Sequence, residues 1–356
     1  MKKTLNLADI PIYLKKKMQE EKVEFSKKMS QVSSKSRKDS KSGVCLYCEK
    51  KINSYCNSHS IPASFLRNIA DDGKLYAHGG LIDLPLLKYE EGVNKAGTFL
   101  IICRDCDSKI FSDYENEVNY NSLPTQKMLA QIAMKTYLKN ISKRVYEISS
   151  NNNIGDIYDV DLTNANVIKD TDLKENIQGF KRAKKISIKC IQDEYYLFLN
   201  EKLDYIVPVA FQNQIALAVD LEGNVVNNLY NHDCKYRIKM AHIAIFPLKY
   251  YSVVMMFIDN KDKRYRSFIR QMNKLSTEER LELINYIVFL YSEDFFLSKK
   301  IREEVMTDEN LKEVSGRTGS SIISRDENIL DVLKENYDLS NVKNIPNLLS
   351  SDYSIG

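Results

Sequence analysis

Cys45-Leu46-Tyr47-Cys48 and, 54 residues later, Cys103-Arg104-Asp105-Cys106 decide how this chain is read. Each Cys-x-x-Cys makes a tight turn that aims two sulfurs at one point, and zinc takes four such ligands in a tetrahedron. The chain has seven cysteines. No apolar run reaches the roughly 18 residues that span a bilayer, and no apolar segment follows the Lys-rich start, so no membrane partner is expected. The expected compartment is the reducing cytoplasm, where paired cysteines read as metal ligands before disulfides. A structural Zn2+ on Cys45, Cys48, Cys103 and Cys106 is the expectation. Cys56 and His59 form a further Cys-x-x-His pair, so a mixed set of Cys45, Cys48, Cys56 and His59 is the competing arrangement.

Outward from the first knuckle comes Asn57-Ser58-His59-Ser60-Ile61-Pro62. Directly after the second comes Asp107-Ser108-Lys109-Ile110-Phe111-Ser112-Asp113-Tyr114-Glu115. This order over about residues 44–116, a fifth of the chain, resembles HNH endonucleases of the ββα-metal (treble-clef) type whose finger is stapled by a four-cysteine zinc. The resemblance implies metal-dependent hydrolysis of phosphodiester bonds, with DNA as the substrate. In it His59 is the general base, and an imidazole with an ordinary pKa of roughly 6.5 suits that task. Asp107 matches the Asn/Asp position that orients or ligates, and Arg104 neutralises phosphate. Asp113 or Glu115 completes a Mg2+ or Mn2+ site, since hard cations take carboxylate oxygens. The zinc only holds the finger together. Two positions depart from the pattern. The residue before the base is Ser58, a poor metal ligand, and no histidine follows the second knuckle. A zinc-binding module that docks nucleic acid or a protein without cutting is therefore the alternative, with a purely structural finger behind it. By analogy with defence nucleases against phage or plasmids, the partners left open are a homo-oligomer or a defence-system protein.

The fold class expected is α+β: a zinc-stapled ββα finger, then an α+β domain with an antiparallel sheet and helices. Residues 1–43 hold twelve Lys/Arg against five Asp/Glu and read as a basic, partly disordered arm. Within it 5–26 form a helix and 27–42, with little to bury, are flexible. Residues 44–120 are the finger, 121–310 the second domain and 311–356 a polar tail.

The spacing of Met128, Leu129, Ile132, Ala133, Tyr137, Ile141, Val145 and Ile148 predicts a helix over 123–148, ended by Asn151, Asn152 and Asn153. A short helix is expected at 172–183. Strands are expected at 186–191, 195–199, 205–211, 215–220, 241–246 and 252–258. Helices follow at 263–275 and 277–290, the latter opened by a Ser276/Glu279 capping box, with a weak helix at 328–336. His78 reads as an exposed loop residue, His232 and Cys234 as loop residues between strands, His242 as a core or edge histidine and Cys190 as a small core residue. Lys181-Arg182-Ala183-Lys184-Lys185 and the segment 261–270 are basic patches. Each suits either a phosphate backbone or a solvated helix.

Overall fold

The computed structural model describes residues 22–52, 55–82, 89–158, 161–231, 233, 235–317 and 328–355. His232, Cys234 and the helix expected from residue 5 up to residue 21 lie outside them. In chain order the elements are α1 (Lys22–Asp39), β1 (Ser58–His59), α2 (Ala63–Ile69), β2 (Lys74–Ala77), α3 (His78–Ile82), β3 (Glu90–Gly92), β4 (Thr98–Phe99), α4 (Arg104–Ile110), α5 (Ser112–Glu115), α6 (Gln126–Tyr158) and α7 (Thr163–Lys189). They continue with β5 (Tyr195–Leu203), β6 (Val209–Ile215), β7 (Ala241–Pro247), β8 (Ser252–Asp259), α8 (Arg266–Met272), α9 (Thr277–Tyr291), β9 (Phe295–Ser298), α10 (Glu303–Thr307), α11 (Glu309–Gly316) and α12 (Ile329–Asn336). The chain is thus mixed α and β with an antiparallel sheet.

Two compact units divide it. The first takes Met1–Ser58, Phe99–Ile110 and Met134–Lys184; the second takes His59–Thr98, Phe111–Ala133 and Lys185–Gly356. Residues 44–58 and 99–110 thereby fall in one unit and the 40 residues between them in the other.

In the first unit α1 overturns the expectation of a flexible stretch at 27–42. Residues 27–42 are too polar to bury a wide apolar face, and α1 docks through a narrow seam instead. Val32 is buried, the Tyr146 hydroxyl donates to Ser33 Oγ at 3.2 Å, and Asn153 Nδ2 donates to the buried Ser36 Oγ at 2.9 Å. The same seam explains why α6 does not stop at the asparagines. Asn151 and Asn153 are buried, and Asn151 Nδ2 donates to Asn166 Oδ1 of α7 at 2.9 Å. A tertiary partner satisfies side chains that would otherwise compete for the backbone. Helix α7 is likewise far longer than the twelve residues expected. It absorbs 186–189, which read as a strand because Ile186 and Ile188 alternate with polar residues. Phe180, Ala183 and Ile186 are buried at a spacing of three while Ile188 is 58% exposed, which is a helical stripe. Across α6 and α7, Arg144 meets Asp172 at 3.2 Å and Lys169 meets Glu147 at 2.8 Å.

In the second unit seven strands pair in the order β3-β2-β9-β6-β7-β8-β5, every pair antiparallel. Residues Ala241–Pro247 and Ser252–Asp259 are almost wholly buried, so β7 and β8 read as apolar runs rather than alternating ones. Strand β6 starts at Val209, later than expected, because Pro208 has no N–H for the ladder. Beyond Ile215 the expected strand 215–220 is a turn. Asp220 accepts the backbone N–H of Glu222 and of Asn224 at 3.0 and 2.9 Å, and only the bridge Val219↔Val225 remains. The Ser276 box caps α9 as read, with bonds of 3.2 and 2.8 Å, and α12 lies at the expected place behind its Asn328 cap. Helix α8 covers only part of 263–275. Residues past 337 are not merely polar. Leu339, Ile345, Leu348 and Leu349 are buried, and Asn285 donates to Pro346 O at 2.9 Å while accepting from Leu348 N at 3.1 Å.

Gly179 tests the first unit. A Cβ at this position would lie 2.4 Å from the Tyr137 ring. Gly179→Val should lower stability by about 1–3 kcal/mol through overpacking, read as a shift in the urea midpoint; an unchanged midpoint would show that α7 does not need this close approach.

Candidate metal centre and the residues around it

Two turns and one helix start build the centre. In the first knuckle Cys45 N donates to Lys50 O at 2.9 Å and Glu49 N to Cys45 O at 2.8 Å, and Glu49 takes the positive φ of 61° that closes the turn. Leu46 N donates to Ile101 O at 3.0 Å, which ties this turn to the segment leading into the second knuckle. Cys103 N donates to Cys45 Sγ at 3.3 Å, and Cys106 lies in the first turn of α4. The four sulfurs all lie within 4.8 Å of one another, with Cys48 Sγ 3.9 Å from Cys103 Sγ. A tetrahedron of Zn–S bonds near 2.3 Å puts its sulfurs about 3.8 Å apart, whereas a disulfide needs about 2.05 Å. The cysteines are free thiols positioned to bind a metal ion, and the spacing is consistent with structural zinc.

The thiols show what a cation would offset. Burial pushes Cys45 and Cys106 up, Cys106 well above an ordinary thiol, while the Lys50 backbone N–H brings Cys48 down to about 7. A bound dication favours the thiolate at all four positions.

Cys56 does not join the cluster. Its sulfur donates to Asp107 Oδ2 at 3.4 Å, and burial followed by that carboxylate raises its thiol to about 11. The mixed ligand set is therefore not the one assembled. Asp107 is heavily engaged: Oδ1 accepts from Ser58 Oγ at 2.5 Å and from Lys135 Nζ at 2.8 Å. Burial works to raise Asp107, but the Lys135 charge and the bonds from Lys135, Ser58 and Cys56 outweigh it, so its pKa is lowered. Lys135, with its side chain 2% exposed, is the partner of Asp107 that sequence reasoning missed. The signal was there: Lys135 stands three residues after Ile132 on the apolar stripe of α6, and a charge on a buried stripe requires a partner.

The remaining site residues are placed as follows. His59 is half-buried in the second unit, and its Nε2 lies 2.9 Å from Val93 O. A carbonyl can only accept, so Nε2 carries the proton. The short loop around it is closed by Ser60 N donating to Gly97 O at 3.0 Å, where Gly97 has φ +62° and a Cβ would meet Ser60 Oγ at 2.4 Å. Arg104 is exposed as the first residue of α4. Asp113 pairs with Lys127 at 3.0 Å and accepts from Gln131 Nε2 at 2.6 Å; burial raises it, but those two partners leave it lowered. Glu115 is half-buried on α5. Among the described residues, the metal-ligating group comprises the four cysteines, and His59, Asp107, Asp113 and Glu115 are not part of it.

Two expectations outside the cluster are corrected. His78 is no exposed loop residue: it is 7% exposed at the start of α3, with Nε2 3.1 Å from Ser315 O. Cys190 is exposed with φ 49° rather than packed in the core, because α7 has ended there. His242 is buried against Phe257, as read. Of the basic patch, Lys184 lies over the Tyr47 ring at 4.4 Å and donates to Tyr47 O. No described helix is long and apolar enough to cross a membrane.

Comparison with models of known protein families, with curated proteins and with solved structures gave no match.

The geometry separates the two ligand sets. Cys103→Ala should lose the bound ion, measured as metal per chain, while Cys56→Ala should keep it; the reverse result would install the mixed set. Lys135→Met should cost about 3 kcal/mol by leaving the Asp107 charge uncompensated, and an unchanged denaturation midpoint would show that the pair is not needed.

Proposed function

We propose that the chain is a zinc-stapled, metal-dependent endonuclease of the HNH-like kind that hydrolyses phosphodiester bonds in DNA. The observation that carries this reading is the setting of His59. Nε2 donates to the Val93 carbonyl, which holds the ring in one orientation, as a positioned general base requires. The zinc on Cys45, Cys48, Cys103 and Cys106 does no chemistry and fixes the knuckles. In this reading a bound Mg2+ or Mn2+ would supply positive charge to the phosphate at the scissile bond. Asp113 and Glu115 are its candidate ligands in the unit that holds His59.

The second reading, a zinc-binding module that docks nucleic acid or a protein without cutting, is favoured by Asp107. Ser58, Lys135 and Cys56 already use both of its oxygens, so a catalytic cation would have to displace them.

Supercoiled plasmid with Mg2+ or Mn2+ separates the two. The parent should nick it, and His59→Ala should be slower by about 10²–10⁴-fold while retaining one zinc per chain. Equal nicking by both proteins removes His59 as the base. No nicking by either, with zinc bound, leaves the docking module.

A further inference from the structure

Charge is shared very unevenly between the two units. The first carries 25 Lys/Arg against 15 Asp/Glu, a balance of +10, and the second 27 against 33, a balance of −6, within a chain of +4. Part of the excess is concentrated on α1. Its inner side is the seam of Val32 and Ser36, so the opposite side faces away from the unit, and Lys27, Gln31, Ser34, Arg37 and Lys38 there are exposed. Among the described residues Lys27, Arg37 and Lys38 have no acidic partner. Lys35 lies 4.0 Å from Asp156 with both side chains largely exposed, a contact that water and salt screen. Asp39 is the one acid of the helix beyond residue 26.

We infer that the outer face of α1 is a docking surface for the phosphate backbone of duplex nucleic acid. This rests on the reading that the chain acts on nucleic acid, but it does not need cleavage. Charge complementarity is the first argument: unpaired cations on a helix release counterions when phosphates replace them. Spacing is the second. Lys27 and Lys38 are eleven residues apart, about 16 Å along a helix, enough to follow several phosphates of a duplex whose two strands carry one charge per about 1.7 Å. The hydroxyl of Ser34 and the amide of Gln31 between them are further donors of the kind phosphates take. The described part of the face argues against the other anionic surface. A helix that lies on a membrane buries an apolar face in the lipid, and the exposed residues Lys27, Gln31, Ser34, Arg37 and Lys38 are all polar.

The surface also continues towards the metal centre. After α1 ends, Ile52 N donates to Gly43 O at 3.0 Å and Val44 bridges Lys51. The exposed Lys50 and Lys51 of the first knuckle therefore stand beside the chain that leaves the helix. The inference gives the zinc a second consequence, since the knuckle anchors the C-terminal end of the binding helix.

The test is fluorescence anisotropy of a labelled 20-base-pair DNA duplex with the full chain, titrated in salt without divalent cations so that binding is read apart from cutting. The Lys27→Gln, Arg37→Gln, Lys38→Gln triple variant should bind about tenfold or more weakly at 0.1 M salt, and the slope of log affinity against log salt should flatten by about 3. Lys274→Gln with Lys334→Gln, exposed cations of the second unit outside both basic patches, should leave the slope unchanged, and far-ultraviolet circular dichroism should show all three proteins equally folded. A parent that binds duplex with a triple variant of unchanged slope overturns the docking face and leaves the nucleic-acid reading standing. A parent that does not bind duplex overturns both. A parent that ignores duplex but binds vesicles of anionic lipid assigns the face to a membrane.

Discussion

Four sulfurs must meet across a 54-residue interval, and that meeting is the constraint on which the first unit depends. Its segments 44–58 and 99–110 have few buried apolar side chains of their own; Cys45, Ile52, Phe99, Ile101 and Ile102 are most of them. Two knuckles with so little apolar area do not hold each other by burial. The Leu46–Ile101 backbone bond and the Cys103 N–H on Cys45 Sγ align them, but each is worth only about 1 kcal/mol net. A divalent ion on four thiolates contributes roughly ten times that, and the contribution is folding free energy because the unfolded chain has no formed site.

The long interval is tolerable because it is not a loop. Of its residues, 59–98 carry α2, β2, α3 and β3 and give two strands to a sheet whose other strands come from beyond residue 194. Closing an interval costs entropy that grows only slowly with its length. The structure filling it therefore has its own support: Leu75 and Phe65 are fully buried, and the Phe65 ring lies 5.1 Å from that of Phe246. His59 and Gly97 stand at the two ends of this inserted stretch, so the turn that orients the imidazole is also the neck of the insertion.

What could be read in the sequence follows from how local each signal is. The knuckles, the Ser276 capping box and strands β7 and β8 were legible because spacing or apolar runs of a few residues specify them. Helix α1 and the full lengths of α6 and α7 were not. Ser33, Ser36, Asn151 and Asn153 look like loop formers until each is paired with a residue over 100 positions away or on the next helix. Strands β2, β3 and β9 are four residues or fewer, too short for periodicity to declare. The Asp107–Lys135 pair lay half in view: the aspartate followed a motif, but its lysine sat 28 residues on in a stripe otherwise read as apolar.

The seam under α1 has a thermal consequence. Most helices hold to their protein by apolar area, whose contribution weakens on cooling. Here the described contacts are largely a hydroxyl pair and an amide on a hydroxyl, with Val32 as the buried apolar residue. Attachment of this kind carries little heat capacity, since polar and apolar surface act on it with opposite sign. The grip of α1 should therefore change little between cold and warm, while the apolar sheet of the second unit passes through its own maximum of stability.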